Sequence, residues 1–274
     1  MCNNNHKSEY MQTIDFIKGI GYEVISFPDG EKHLKIKELD RKDTVEIICR
    51  ITNSDDVFLL MQLSDILNRQ CIVVEKITIN YLMTMRCDRL FSFEQPFSLK
   101  IVSDVINSFN AKKVLIIEPH SNTCLDLIKN SEARYTSKGL MVYPKAVCFP
   151  DKGAFKRYTC NMLMRPYIVC SKVRDVETGK ITSFSIDKVC EYKEGGEIIV
   201  VDDLCDGGGT FIGIAELLRK ELKPTKLTLA ITHAVQKAGI ERVASVYDEV
   251  RITNSYKDWQ NEVLPDNVKV EIIE

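Results

Sequence analysis

Short β-branched runs alternate along this chain with longer stretches of helical period, and that alternation restricts the fold more than any other feature. Val45–Ile51 reads as a strand, and Ser54 as the cap of a helix with Asp55 and Asp56 in its first turn and Val57, Leu60, Met61, Ser64 and Leu67 at helical spacing. Cys71–Ile79 is the next strand. Pro96 is placed to open a helix through Leu99, Val102, Val105 and Ile106, and Lys113–Ile117 follows as a strand. A short helical pattern runs from Thr123 to Ile128. In the second half, Met141–Tyr143, Ala146–Phe149, Tyr167–Cys170, Glu197–Val201, Lys226–Ile231, Glu249–Thr253 and Val268–Ile273 read as strands. Ala154–Met164 and Phe211–Leu222 read as helices, the second stopped by Pro224. The pattern predicts an α/β fold with mainly parallel sheets.

A chain of 274 residues holds one or two domains. Lys113-Val-Leu-Ile-Ile-Glu-Pro-His and Glu197-Ile-Ile-Val-Val-Asp-Asp both run a strand into an acidic turn. That echo predicts two copies of one α/β unit joined near residues 131–140, with a single larger sheet as the alternative. The formal charge of -2 lacks the basic surplus of a sequence-independent nucleic-acid binder. No apolar run is long enough to span a membrane, and Met1–Tyr10 has no apolar stretch to serve as a secretory signal. The 10 cysteines include no C-x-x-C pair, which argues against a zinc ribbon or a thioredoxin-type motif. Cys49, Cys71, Cys148 and Cys170 fall in apolar strand-like runs, where a reduced thiol packs as a small hydrophobe. The expectation is a reduced cytoplasmic protein without nucleic-acid or membrane partners.

Ile198-Ile-Val-Val-Asp-Asp-Leu-Cys-Asp-Gly-Gly-Gly-Thr-Phe211 carries the most chemistry. A hydrophobic strand meets two acids, then a glycine-rich turn with a third acid, then a helix. Glycines let backbone N–H groups approach an anion, the helix start adds unpaired donors, and Thr210 adds a hydroxyl. Acids at the strand end can accept hydrogen bonds from ribose hydroxyls. The place is also where open α/β sheets bind ligands. Neither Gly-Lys-Ser/Thr nor G-x-G-x-x-G is present, so a Walker loop and the usual dinucleotide fingerprint are excluded.

Val201–Phe211 resembles the phosphoribosyl diphosphate loop of phosphoribosyltransferases. The whole order of motifs resembles the ribose-phosphate pyrophosphokinases (PRPP synthetases). Phe27-Pro-Asp-Gly-Glu31, Arg86-Cys-Asp-Arg89, Gln95–Lys100, Glu118-Pro-His120, Phe149–Arg157, Lys172-Val-Arg174 and Ile231-Thr-His233 fall in family order over residues 27 to 256. The resemblance implies two related phosphoribosyltransferase-like domains, 1–135 and 136–274. It also implies transfer of the β,γ-diphosphate of MgATP to the anomeric hydroxyl of ribose 5-phosphate, with release of AMP.

By that resemblance His120 and Asp151 hold Mg²⁺, and Lys172 and Arg174 stabilise charge on the transferring phosphates beside a mobile lid at Asp175–Lys180. Arg86 contacts the ATP phosphates, with Asp88 nearby. Phe27, Asp29 and Glu31 reach the adenine of a neighbouring subunit, so the protein is a homo-oligomer. Asp202 and Asp203 bind the ribose hydroxyls, and Asp206, Gly207, Gly208, Gly209 and Thr210 wrap the sugar's 5′-phosphate. Three departures stand out: Gly207 replaces a hydroxyl residue, Lys152 and Ala154 alter the Pro-Asp segment, and the family's early strand is not recognisable in Met1–Ser26. The opening at Gly207 raises a second acceptor, a 5′-substituted ribose phosphate such as ADP-ribose, with a role in NAD resynthesis. A phosphoribosyltransferase that consumes PRPP and a non-catalytic regulatory relative are the other classes.

Overall fold

A computed structural model describes residues 11–37, 44–136, 146–158, 166–174 and 181–273, with the side chains at positions 173, 174, 181 and 182 outside the description. The chain divides into two compact units, Met1–Arg134 and Tyr135–Glu274. The expected strand Met141–Tyr143, the end of the helix expected to reach Met164, and the lid at Asp175–Lys180 lie outside the described residues.

The first unit is built on a five-stranded sheet that is parallel throughout. Its strands, in spatial order, are β1 (Met11–Asp15), β4 (Thr44–Ile51), β5 (Val73–Leu82), β6 (Lys113–Ile117) and β7 (Ser131–Arg134). Helices α1 (Ser54–Arg69), α2 (Ser98–Asn107) and α3 (Thr123–Leu127) connect them. Leu59, Leu60, Leu63 and Leu67 of α1 are buried in one core with Val45, Ile47 and Ile79 of the sheet. Each such side chain contributes roughly 1.5–3 kcal/mol by leaving water. The cap of α1 is Asn53 rather than Ser54. Its side chain accepts from the N–H groups of Asp55 and Asp56 at 2.8 and 3.1 Å, and Asp56 reaches back to the Asn53 N–H at 3.2 Å.

An early strand is present after all. β1 pairs with β4, and the chain then reverses on Asp15, whose carboxylate accepts from the N–H groups of Ile17 and Lys18. It enters an antiparallel hairpin of β2 (Tyr22–Ser26) and β3 (Lys32–Ile36). Gly21 makes the reversal possible: its φ is +85°, and a Cβ there would sit 2.7 Å from the Thr13 carbonyl oxygen.

The second unit has a seven-stranded sheet. Its spatial order is β10 (Ile181–Cys190), β9 (Tyr167–Arg174), β8 (Ala146–Phe149), β11 (Ile198–Cys205), β12 (Leu227–Ala234), β13 (Glu249–Thr253) and β14 (Val268–Glu271). All neighbours are parallel except β9 and β10. Helices α4 (Lys152–Tyr158), α5 (Gly209–Leu222) and α6 (Lys237–Ala244) and a 3-10 turn at Trp259–Asn261 complete it. β11 divides its side chains by period two: Ile198 and Val200 enter the larger core, Ile199 and Val201 the smaller one on the opposite face. All eight residues of β12 are buried, as suits a central parallel strand.

From β8 the chain steps outward to β9 on one side, and from β11 to β12 on the other. The reversal places a switch point between β8 and β11, beyond whose carboxyl ends an open α/β sheet forms its crevice. Cys71 corrects a sequence expectation: it is exposed, at a turn with φ 57°, two residues before β5 begins. Cys49, Cys148 and Cys170 are buried free thiols.

Candidate active site

The crevice of the second unit gathers Asp151, Arg157, Lys172, Asp202 and Asp203. Asp151 follows β8, where one carboxylate oxygen caps α4 by accepting from the Ala154 N–H at 3.0 Å. The other oxygen accepts from Nζ of Lys172 on adjacent β9 at 2.8 Å. Burial works against the charge on Asp151, but the Lys172 and Ala154 hydrogen bonds outweigh it and hold the carboxyl below its usual range. Arg174 closes β9, its side chain outside the described part.

β11 runs further than its apolar run suggests, through Cys205, so Asp202 and Asp203 lie within the strand. Arg157, in the last turn of α4, sends Nη1 to Oδ1 of Asp202 at 3.0 Å and to Oδ1 of Asp203 at 2.7 Å. Burial lifts the Asp202 carboxyl well above the usual carboxylate range, Asp203 adds to the lift, and Arg157 opposes it. Sequence reading leaves Arg157 without a role; its place six residues after Asp151, in a strand–turn–helix, is the signal that puts both in one crevice.

The segment Asp206–Thr210 leads from the end of β11 into the first turn of α5. Gly208 has φ +80° and precedes the helix. Helix α6 lies across this loop. Gln236 Nε2 donates to Oδ1 of Asp206 at 2.5 Å, and Arg242 Nη1 donates to the Gly207 carbonyl at 2.8 Å. A Cβ on Gly239 would stand 1.8 Å from the Asp206 carbonyl oxygen, and one on Gly208 would meet Val243 at 2.8 Å. The backbone of α6 therefore touches the backbone of the loop. Nothing lies within 4 Å of a Cβ built on Gly209, and only Arg242 Nη1, at 3.9 Å, near one on Gly207.

In the first unit, Arg86 and Asp88 follow β5 and His120 follows its neighbour β6, so all three leave the carboxyl edge of one parallel sheet. Glu118, just before His120, is fully buried with φ 45°, a conformation an L side chain keeps only where its surroundings enforce it. Phe27, Asp29 and Glu31 occupy the tip of the β2–β3 hairpin. Phe27 and Glu31 are tied by a backbone hydrogen bond of 2.8 Å, Gly30 takes φ 93°, and Phe27 is 45% exposed. His120 belongs to the first unit and Asp151 to the second.

Among the described residues, no three His, Cys, Asp or Glu side chains converge as a metal cage. Mg²⁺ is commonly held by one or two carboxylates together with substrate phosphates. Asp151, kept ionised by Lys172, is one hard oxygen donor of that kind, and its chemistry fits Mg²⁺ that is held chiefly by substrate phosphates. No described helix is long and apolar enough to cross a membrane.

The fold is that of an α/β protein of two phosphoribosyltransferase-like units. No protein-family model matches the chain. It is 29% identical over 246 residues to the ribose-phosphate pyrophosphokinase of Pyrococcus furiosus, covering 85% of each chain. It is 28% identical over 243 residues to that of Thermococcus kodakarensis, again over 85% of each. A phosphoribosylpyrophosphate synthetase structure from Mycobacterium smegmatis superposes on 92% of this chain and 85% of its own, with a TM-score of 0.74 at 19% identity. The chain thus resembles ribose-phosphate pyrophosphokinases along most of its length, at 25–29% identity over about 85% of the chain.

Proposed function

We propose that the protein transfers the β,γ-diphosphate of MgATP to the anomeric hydroxyl of ribose 5-phosphate and releases AMP. The observation that carries this reading is the β11–α5 segment at the switch point. It sets two acids near the carboxyl end of β11, suited to a ribose, ahead of a glycine loop that leads into a helix, suited to its phosphate. Asp202 and Asp203 accept hydrogen bonds from the ribose hydroxyls. The loop from Asp206 through Gly207, Gly208 and Gly209 to Thr210 holds the 5′-phosphate with backbone N–H groups and the Thr210 hydroxyl.

Lys172 supplies positive charge where negative charge develops on the transferring phosphates, and Arg174 acts with it. Arg86 binds the nucleotide phosphates, with Asp88 beside it. Phe27, Asp29 and Glu31 on their exposed hairpin hold the adenine of a second copy in a homo-oligomer. Asp151 in the second unit and His120 in the first are the residues that would hold Mg²⁺ with the substrate phosphates, and the ion would supply neutralisation of phosphate charge. Such transfer depends on positioning and charge more than on a covalent intermediate.

One observation favours a second acceptor. Gly207 offers no hydroxyl, and among the described residues a Cβ built on it would meet within 4 Å only Arg242 Nη1, at 3.9 Å, an opening that a 5′-substituted ribose phosphate such as ADP-ribose would use. Incubation with MgATP and a panel of both acceptors, followed by mass spectrometry, tests both readings. AMP release with a one-diphosphate mass gain on ribose 5-phosphate supports the first. Gain on ADP-ribose alone supports the second, and no gain on either refutes both.

A further inference from the structure

The acids of β11 are understood as sugar ligands, whereas the cation between them has no assigned task. Arg157 is 9% exposed at its side chain and touches both carboxylates through one nitrogen, Nη1, at Oδ1 of each. Oδ1 of Asp202 also accepts the Asp203 N–H at 2.9 Å, so the first acid is held at one oxygen by a side chain and a backbone group. Charge-assisted contacts of 2.7 and 3.0 Å onto two successive residues fix carboxylates that would otherwise repel each other.

We propose that Arg157 is a positioning residue that holds Asp202 and Asp203 side by side as paired acceptors for the two vicinal hydroxyls of the sugar. The proposal deepens the functional reading above and rests on it. A ribose diol donates two hydrogen bonds, so both acids must be ionised to receive them fully. Two adjacent buried carboxylates without a cation retain a shared proton, and a protonated acid presents a donor where an acceptor is needed. The other groups that bear on the cluster are Asp151 after β8 and Cys205 on β11, both facing Asp202, and Tyr158 on α4, which acts on Arg157; Lys172 on β9 directs its charge at Asp151. Arg157 is the cation in direct contact with both acids. It touches no reacting atom and acts only through the two carboxylates.

The test uses the full-length protein and Arg157→Met and Arg157→Lys variants. Arg157→Met is expected to raise KM for ribose 5-phosphate by roughly 10- to 100-fold with the KM for ATP unchanged. Its sugar KM should recover as pH rises and the retained proton is lost, over a higher pH range than in the wild type, where Arg157 opposes the lift that burial and Asp203 impose on Asp202. Arg157→Lys, which keeps the charge, should restore part of the affinity. A folded Arg157→Met protein whose sugar KM stays within about threefold of wild type, or whose two KM values rise together at every pH, overturns the proposal. Should the Met variant not fold, the Lys variant decides: a selective sugar KM increase supports the proposal, and an equal change in both KM values overturns it.

Carboxyl titration by carbon NMR on the ligand-free protein separates this inference from the functional reading. One aspartate of Arg157→Met should titrate at higher pH than in the wild type, and unchanged titration overturns the proposal even in an active enzyme. A wild-type protein that transfers nothing to ribose 5-phosphate, yet shows the expected titration change, sinks the functional reading and leaves Arg157 as the organiser of the acidic pair.

Discussion

Gly239→Ala tests the claim that α6 shapes the phosphate loop. Its Cβ would lie 1.8 Å from the Asp206 carbonyl oxygen and 3.0 Å from the carbonyl carbon, and both are backbone atoms that cannot rotate away. Reaching even 3.0 Å from the oxygen requires a separation of about 1.2 Å, so the helix or the loop must move. A misplacement of about 1 Å in a positioning element can lower reaction rates on the order of 100-fold, equivalent to about 2.7 kcal/mol of transition-state stabilisation. The strain should also destabilise the second unit by about 1–3 kcal/mol. The assay is kcat/KM for ribose 5-phosphate at saturating MgATP, beside a denaturant melt. The expected result is a loss near 100-fold in sugar kcat/KM with nucleotide affinity retained. A folded variant with wild-type sugar kcat/KM would refute the reasoning, because it would mean that the loop geometry does not depend on α6.

Lys172→Ala should lower turnover by roughly 100- to 1,000-fold while leaving ATP binding measurable, read by single-turnover kinetics and nucleotide titration. Normal turnover would remove Lys172 from the mechanism. Asn53→Ala should cost about 1 kcal/mol of stability in the first unit by deleting the α1 cap, checked by urea denaturation. Glu249 is held down at about 2 from an ordinary 4.5: burial opposes its charge, but hydrogen bonds from Lys226 and Arg251 prevail. Its folded value is depressed, so its contribution of about 2 kcal/mol is present above pH 4.5 and is lost as pH falls toward 2. The stability gap between wild type and Glu249→Gln, followed by denaturation at stepped pH, should close over that window.

The parts of the fold legible in sequence are those whose local pattern and tertiary role agree. Lys113–Ile117 and Glu249–Thr253 form strands at the expected residues, because an apolar β-branched run is also what a buried parallel strand requires. The β2–β3 hairpin was hidden because its strands are largely exposed and mix Glu, Lys and His with apolar residues. β10 was hidden for a similar reason: Thr182, Ser183, Ser185, Asp187 and Lys188 interrupt any apolar run, and antiparallel pairing with β9 makes it a strand.

At the site, the glycine loop and its acids show in the sequence because a strand, a turn and a helix are contiguous there. The partners Arg157, Gln236 and Arg242 approach from other elements. Their contacts with the loop and acids exist only once the sheet brings α4 and α6 to the carboxyl edge of β11. Gly239 did carry a local signal, since a glycine inside a helical stretch often marks a close backbone approach.

In the proposed reaction two phosphates leave ATP together and arrive on the sugar. ATP labelled separately at its α, β and γ phosphates, incubated with the protein, Mg²⁺ and ribose 5-phosphate, tests it most directly. The β and γ labels are both expected in the sugar product, with the α label in AMP. Transfer of the γ label alone, with ADP as the second product, would contradict it.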